Sequence, residues 1–365
     1  MGLKKIAFYI NSLDKGGAQR VIVNVAEAFY QEGIQVVLVT TFQAEEEYQV
    51  SDGIRRVYSE ITGDEVTGSR IRNFKNRFTK LRNIWKQEAP DVIVSFIGKN
   101  NFMAIATVQG LPTKVAVSVR GEPTEEYYNK VMRFIAKHLF NRADGVIFQT
   151  ADARAFFPEK VQRKSVILPN PLDVACIRPR YQGEKENVIV AVGRVDENKN
   201  HKMLIDAFAA VQGKHPEMKL VIYGNGDQRD PLLQYGRELG LQDRIQMPGN
   251  VSDIPEKIER ARIFVLTSDT EGMPNALLEA MSLGLAVIST DCPCGGPRTV
   301  IQDGENGLLV PVRDTAALTR ALHRILESPA LERKLSDNAS QLQQELSPDK
   351  VNKVWRAYLT ALCKK

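Results

Sequence analysis

The first forty residues alternate in a way that few folds can use. "KKIAFYI" (4–10) is an unbroken apolar run and "NSLDKGG" a loop, while "AQRVIVNVAEAFYQEG" (18–33) is an amphipathic helical pattern closed by Gly33 and "IQVVLVTT" (34–41) a second apolar run. Apolar runs of strand length without polar alternation belong in a sheet covered on both faces, and the 3.6-residue pattern between them supplies one cover. The segment therefore reads as a βαβ unit with parallel strands. The same beat returns in "DVIVSFIG", "KVAVSVR" and "DGVIFQT". After a break at "VILPNPLD" (166–173) it returns again in "NVIVAVGRV", "KLVIYGNG", "RIQMPG", "RIFVLTS" and "LAVIST".

A chain of 365 residues exceeds what one core ordinarily serves, and Pro169 and Pro171 punctuate the break. The pattern predicts an α/β protein of two doubly wound Rossmann-like domains, residues 1–168 and 172–345. Helices dominate from about residue 316, and the last, 350–365, is expected to pack back on the first domain. Ligands of such sheets bind beyond the carboxyl ends of the strands, so two lobes of this kind facing each other would bring their strand-end loops to one cleft.

Composition narrows the class. Hydrophobic residues at 43% and charged residues at 25% are ordinary for a globular chain and exclude long disorder. The four cysteines stand at 176, 292, 294 and 363, and the single residue between Cys292 and Cys294 suits neither a zinc knuckle nor a redox dithiol, so reduced thiols are expected. The first apolar run stops at Asn11 and Asp14, before a signal-peptide core could form, and nothing elsewhere reaches transmembrane length. A cytosolic protein is expected. There is no D-x-D pair and the four histidines show no ligand-like spacing, which speaks against a metal-held diphosphate.

The candidate chemistry lies in "TSDTEGMPNALLEAMSLGLAVIST" (267–290). The loop "DTEGMP" follows a strand, and Pro274 suits the first turn of the helix behind it. Asn275 and Glu279 are four apart and share a face, with Glu271 one further step of four toward the loop. The rest of that helix is Ala, Leu and Met, where an unpaired carboxylate is costly. Either Glu279 is satisfied structurally, or the two carboxylates hold hydroxyl groups, while the amides of Gly272, Met273 and Asn275 meet a phosphate or sugar. "VAVGRVDENKNHKM" sets Arg194 and Lys199 between a strand and a helix, and the two cations predict an anion there. Gly224 and Gly226 in "IYGNGDQR" lack the third glycine of a dinucleotide fingerprint, which argues against an oxidoreductase. Gly295, Gly296 and Pro297 in "STDCPCGGPRTVI" form another strand-end loop. In the first domain, Gly16 and Gly17 open a helix where glycine permits close backbone approach, and Arg120 in "SVRGEP" follows a strand.

"EGMPNALLE", two glutamates separated by seven residues, resembles the signature of the retaining glycosyltransferases of family 4, and the resemblance covers nearly the whole chain. It implies the two-lobed GT-B fold and a nucleotide-sugar donor, UDP-linked by expectation, with no further cofactor and no metal. It assigns Glu271 to donor-sugar hydroxyls and Glu279 to the ribose. Arg194 and Lys199 take the leaving diphosphate in place of a metal, and Gly272, Met273, Pro274, Asn275 and Gly224 line the donor site. Gly16 and Gly17 fall beside the donor phosphate and acceptor. Arg120 stands where some members carry an acceptor-contacting histidine, a departure that sets its role apart. The implied catalytic set is Glu271, Arg194 and Lys199, with no enzyme base.

"SRIRNFKNRFTKLRNIWK" (69–86) carries Arg70, Arg72, Lys75, Arg77, Lys80, Arg82 and Lys86 with no acidic residue, interleaved with apolar residues at helical spacing. Its apolar stripe suits either the domain's own core or a membrane interface, and its cations suit anionic head groups. It resembles the basic helix of some polyprenyl-diphosphate-linked glycosyltransferases, with Arg70, Lys75, Arg77, Lys80 and Arg82 as diphosphate or lipid contacts. No stacking platform or recognition helix favours nucleic acid. Together these resemblances imply a retaining, metal-independent transferase of a hexose or N-acetylhexosamine onto a polyprenyl-diphosphate glycan, expected to be peripheral on the anionic inner face of the cell membrane. A nucleotide-sugar epimerase of the same architecture, or a transferase using a soluble acceptor, is the alternative.

Overall fold

A computed structural model describes residues 2–364, which form two compact units. One runs to Pro171 and resumes at Asp349, and the other is Leu172–Pro348. The first unit is a seven-stranded sheet built from β1 (Lys5–Ile10), β2 (Gln35–Thr40), β3 (Arg55–Tyr58), β4 (Val92–Phe96), β5 (Lys114–Ser118), β6 (Gly145–Phe148) and β7 (Ser165–Ile167). Its order is β3-β2-β1-β4-β5-β6-β7, and every pair is parallel. The second unit contains β8 (Glu186–Val192), β9 (Lys219–Tyr223), β10 (Ile245–Gly249), β11 (Ala261–Leu266), β12 (Ala286–Thr290) and β13 (Leu308–Val310). Its order is β10-β9-β8-β11-β12-β13, again wholly parallel.

Within its unit the second order reads 3-2-1-4-5-6 and the first the same with a seventh strand added at the end, so the direction of winding reverses between β1 and β4, and between β8 and β11. At such a reversal the exit loops of two neighbouring strands turn toward opposite faces and leave a crevice between them, where ligands of doubly wound sheets bind. The apolar runs of the central strands are largely buried, β4 along its whole length and β8 from Ile189 to Ala191. The Gly17–Gln31 helix covers β1 and β2 through Val21, Ile22, Val25, Ala26 and Phe29, and ends as Gly33 turns left-handed at φ 80°.

Three strands were missed in the sequence, two for want of an apolar run and β13 because its run is only three residues long. β3, β7 and β13 all lie at sheet edges, are three or four residues long, and β3 and β7 contain no buried residue. An edge strand packs against little and so needs no apolar run. The helix at the carboxyl end, Pro348–Lys364, belongs to the first unit, where Trp355 is fully buried and stacks on Phe96 with ring centroids 6.1 Å apart. Among the described residues no helix is long and apolar enough to cross a membrane, and the four cysteines are free thiols.

Candidate active site

The winding reversal of the second unit places two loops side by side, one leaving β8 at Gly193 and one leaving β11 at Thr267. Asn198 joins them: its side-chain amide donates to the Thr270 carbonyl (3.1 Å), and its side-chain oxygen accepts from the Thr270 backbone N–H (3.1 Å) and hydroxyl (2.8 Å). The Thr267 hydroxyl donates to the Lys199 carbonyl at 2.8 Å. This lacing leaves Lys199 and Glu271 facing each other.

Lys199 Nζ lies 2.5 Å from Glu271 Oε1, and the Ser268 hydroxyl donates to the same oxygen at 2.7 Å. Both charged side chains are about 15% exposed, at 15% and 14%, so the pair is nearly withdrawn from water and each partner offsets the other's desolvation. The Glu271 backbone is fixed as well: its N–H donates to Pro293 O (2.7 Å), and its carbonyl accepts from Cys294 N–H (3.0 Å). The loop after β11 is thereby laced to the loop after β12. Close approach explains two glycines. A Cβ on Gly296 would stand 1.5 Å from the Gly272 carbonyl oxygen, and one on Gly224, at φ +134°, would stand 1.8 Å from that of Gly193.

The Asn275–Ser282 helix is buried from Leu277 onward, and Glu279 is 4% exposed within it. Gly272, Met273 and Pro274 are buried and Asn275 half-buried at the helix start. Arg194 shares the β8 loop with Lys199 but points outward, 78% exposed and 3.2 Å from Asp196 Oδ2. Lys199 and Glu271 are therefore brought into contact, whereas the Arg194 guanidinium is held by Asp196 instead. His201, at the start of the next helix, is buried. Burial and then the Lys199 charge push its pKa down to about 3, so it is a neutral imidazole. The Cys292 thiol is pushed up to about 12 by burial and by Glu271, which leaves it protonated and unreactive.

In the first unit Gly16 caps the helix that begins at Gly17, its N–H donating to Asp14 O at 2.6 Å. Arg120, at the exit of β5, is buried. It donates to Asn170 Oδ1 and Ser118 Oγ (3.4 Å), with its guanidinium 5.0 Å over the Phe96 ring. Burial pushes it down to about 9, with Glu126 opposing, so it keeps its charge at neutral pH. Glu126 escaped the sequence reading. Its carboxylate accepts from Gly98 N–H (2.7 Å), Arg120 N–H (3.0 Å) and the Tyr127 hydroxyl (3.0 Å), tying the exits of β4 and β5 together. Burial raises its pKa. Asn198, Ser268 and Asn170 were also missed, because amide and hydroxyl side chains declare a role only through partners distant in sequence.

The basic helix spans Arg70–Glu88, with Ser69 accepting from Arg72 N–H at its cap. Its apolar stripe divides by position: Leu81, Ile84 and Trp85 enter the core, whereas Ile71 is 84% and Phe74 58% exposed. Its cations divide too. Lys80 is bound to Glu65 (2.8 Å) and the Glu60 carbonyl (2.5 Å), and Arg82 to the carbonyls of Thr107 (2.6 Å) and Gln109 (2.8 Å). Arg70, Lys75 and Arg77 are exposed.

Comparison with known proteins agrees with this architecture. The model of glycosyl transferases group 1 matches residues 177–342, and that of glycosyltransferase family 4 matches residues 15–175. A Campylobacter jejuni protein is 28% identical over 97% of both chains and is named GalNAc-alpha-(1->4)-GalNAc-alpha-(1->3)-diNAcBac-PP-undecaprenol alpha-1,4-N-acetyl-D-galactosaminyltransferase. A second from the same organism is 27% identical over 71% of this chain and 73% of its own. It is named N-acetylgalactosamine-N,N'-diacetylbacillosaminyl-diphospho-undecaprenol 4-alpha-N-acetylgalactosaminyltransferase. Among solved structures, Anabaena HepE in complex with UDP and glucose superimposes with a TM-score of 0.83 at 17% identity, covering 98% of this chain and all of that one. The fold is GT-B. The two family models leave only the ends of the chain unmatched, and the chain belongs to the family 4 glycosyltransferases.

Proposed function

We propose that this glycosyltransferase moves a hexose or N-acetylhexosamine from a UDP-linked donor to a polyprenyl-diphosphate-linked glycan at the inner membrane surface, with retention and without a metal. The observation that carries the donor half is the Lys199–Glu271 pair at the winding reversal of the second unit, 2.5 Å apart and nearly withdrawn from water. A fixed cation in so dry a setting stabilises charge developing on a leaving diphosphate far better than one in bulk water. Glu271, acceptor-only when ionised, suits donor-sugar hydroxyls, and buried Glu279 suits the ribose. Arg194, exposed and paired with Asp196, would exchange that partner for the diphosphate. In the reaction the acceptor hydroxyl oxygen bonds to the anomeric carbon as its bond to the diphosphate breaks. The diphosphate takes both the electron pair and the hydroxyl proton, so no enzyme base is needed. The acceptor half draws support from the diphospho-undecaprenol named in both Campylobacter relatives and from the outward cations of the Arg70–Glu88 helix. Gly16, Gly17 and Arg120 are the proposed acceptor-side residues.

Radiolabelled nucleotide sugars incubated in chelator with the protein and a lipid-linked glycan extract test this. Label from one UDP-sugar is expected to reach the organic phase, to be lost in Lys199→Ala, and to give a product whose anomeric configuration matches the donor by NMR. Transfer only on addition of a divalent metal, or an inverted product, would overturn the mechanism. Label passing to water-soluble glycan alone would overturn the acceptor.

A further inference from the structure

Four histidines dispersed through the chain show no ligand-like spacing, yet the fold brings two of them together. His215 lies in the turn between the His201–Val211 helix and β9, and His323 lies on the Thr315–Leu326 helix, whose last turn leads directly to Glu327. One ligand atom from each of His215, His323 and Glu327 lies within 4.8 Å of the other two. The imidazole rings are 5.5 Å apart between centroids. His215 Nε2 and His323 Nδ1 are buried and make no hydrogen bond. Two buried imidazole nitrogens without a hydrogen bond are costly unless something satisfies them.

The surroundings fit a cation. His323 and Glu327 are one helical turn apart, the spacing that sets two side chains on one face. His323 Nδ1 is already 3.4 Å from Glu327 Oε1. Lys214 Nζ lies 3.2 Å from that same oxygen, a contact that a bound ion would displace. Glu217 lies 3.8 Å from His215 Nδ1, the place of the outer carboxylate that orients a ligating imidazole. Zinc held at about 2.0–2.1 Å by each ligand needs its donors roughly 3.4 Å apart. Side-chain rotation in His323 and Glu327 would have to supply that contraction.

We infer that His215, His323 and Glu327 bind one divalent first-row metal ion, with zinc the best match to two imidazoles, a carboxylate and a water. The ion would pin the turn before β9 to the helix that packs alongside His201–Val211. The His201–Val211 helix starts two residues after Lys199 and the turn leaves its other end, so about 16 Å of helix, eleven residues at 1.5 Å each, lies between the ion and Lys199. The role is structural, and the site is separate from any metal dependence of transfer.

The test is calorimetric titration of ZnCl2 into the chelator-stripped, desalted full chain, with thermal melting in parallel. One equivalent should bind and raise the melting temperature. His215→Asn and His323→Asn should each weaken binding more than about a hundredfold and Glu217→Gln about tenfold, while the remote His138→Ala changes nothing. If either histidine variant misfolds, Glu327→Gln, half exposed at 49%, is the substitute and should weaken binding at least about tenfold. Absence of stoichiometric binding, or binding indifferent to these substitutions, overturns the proposal.

Discussion

At the scale of the residue, Lys199 and Glu271 have a structural use and a proposed chemical one, and a mutant cycle separates them. Lys199→Met strands a carboxylate that is 14% exposed, with Ser268 its remaining donor. The expected cost to folding is on the order of 2 kcal/mol, below the full cost of breaking a wholly buried pair because each partner keeps some water. Glu271→Gln should cost a similar amount by stranding the ammonium. In the double variant neither charge is left alone, so its loss should fall clearly short of the sum of the two single losses. Activity should behave differently, falling by at least about a hundredfold in all three proteins, as for groups that act as a unit on the transition state. Denaturant unfolding beside single-turnover assays reads both. A double variant that regains activity along with stability would reduce the pair to a structural contact.

At the scale of the element, legibility followed packing. The central strands of both sheets could be read from their apolar runs because burial on both faces demands them, whereas β3 and β7, edge strands with no buried residue, leave no such trace, and β13 is apolar but only three residues long. The loop motifs gave residue types and spacing but not reasons. Nothing in "IYGNG" says that Gly224 is required by the carbonyl of Gly193, nor could "GGPR" show that Gly296 lies against Gly272. The basic helix shows the same limit. Seven cations read alike in sequence, yet Lys80 and Arg82 are spent on Glu65 and on backbone carbonyls, and Leu81, Ile84 and Trp85 on the core. The part of the helix open to a membrane is therefore its amino-terminal half, with exposed Ile71 and Phe74 beside Arg70, Lys75 and Arg77. Neutralising those three by substitution with Gln should weaken binding to vesicles containing anionic lipid by about fivefold per cation, and the difference should vanish at high salt. Lys80→Gln and Arg82→Gln should instead lower the melting temperature. Vesicle sedimentation and thermal melting distinguish the two groups, and equal binding losses from all five would show that the cations act only as summed charge.

At the scale of the whole molecule, the chain completes its first unit last. Residues from Asp349 onward return to the sheet laid down by residues before Pro171, after the whole of the second unit has intervened. The return is secured by bulk: Trp355 is fully buried and stacks on Phe96 at an interplanar angle of 10°, and the Tyr358 hydroxyl lies 3.3 Å from the Lys164 carbonyl. A Cβ on Gly145, at the start of β6, would come within 2.3 Å of that hydroxyl, so strand and helix are fitted face to face. Trp355→Ala should cost about 3–5 kcal/mol, the usual range for deleting a buried aromatic. Because each unit has its own sheet and core, the cost should fall on one of them. Hydrogen exchange read by mass spectrometry locates it: β4, β5 and β6 should exchange faster in Trp355→Ala, while protection of residues 193–200 and 267–275 by UDP should match the parent protein. Loss of that UDP protection in Trp355→Ala would mean that the nucleotide site depends on the first unit's core, and would count against placing the donor determinants wholly in the second.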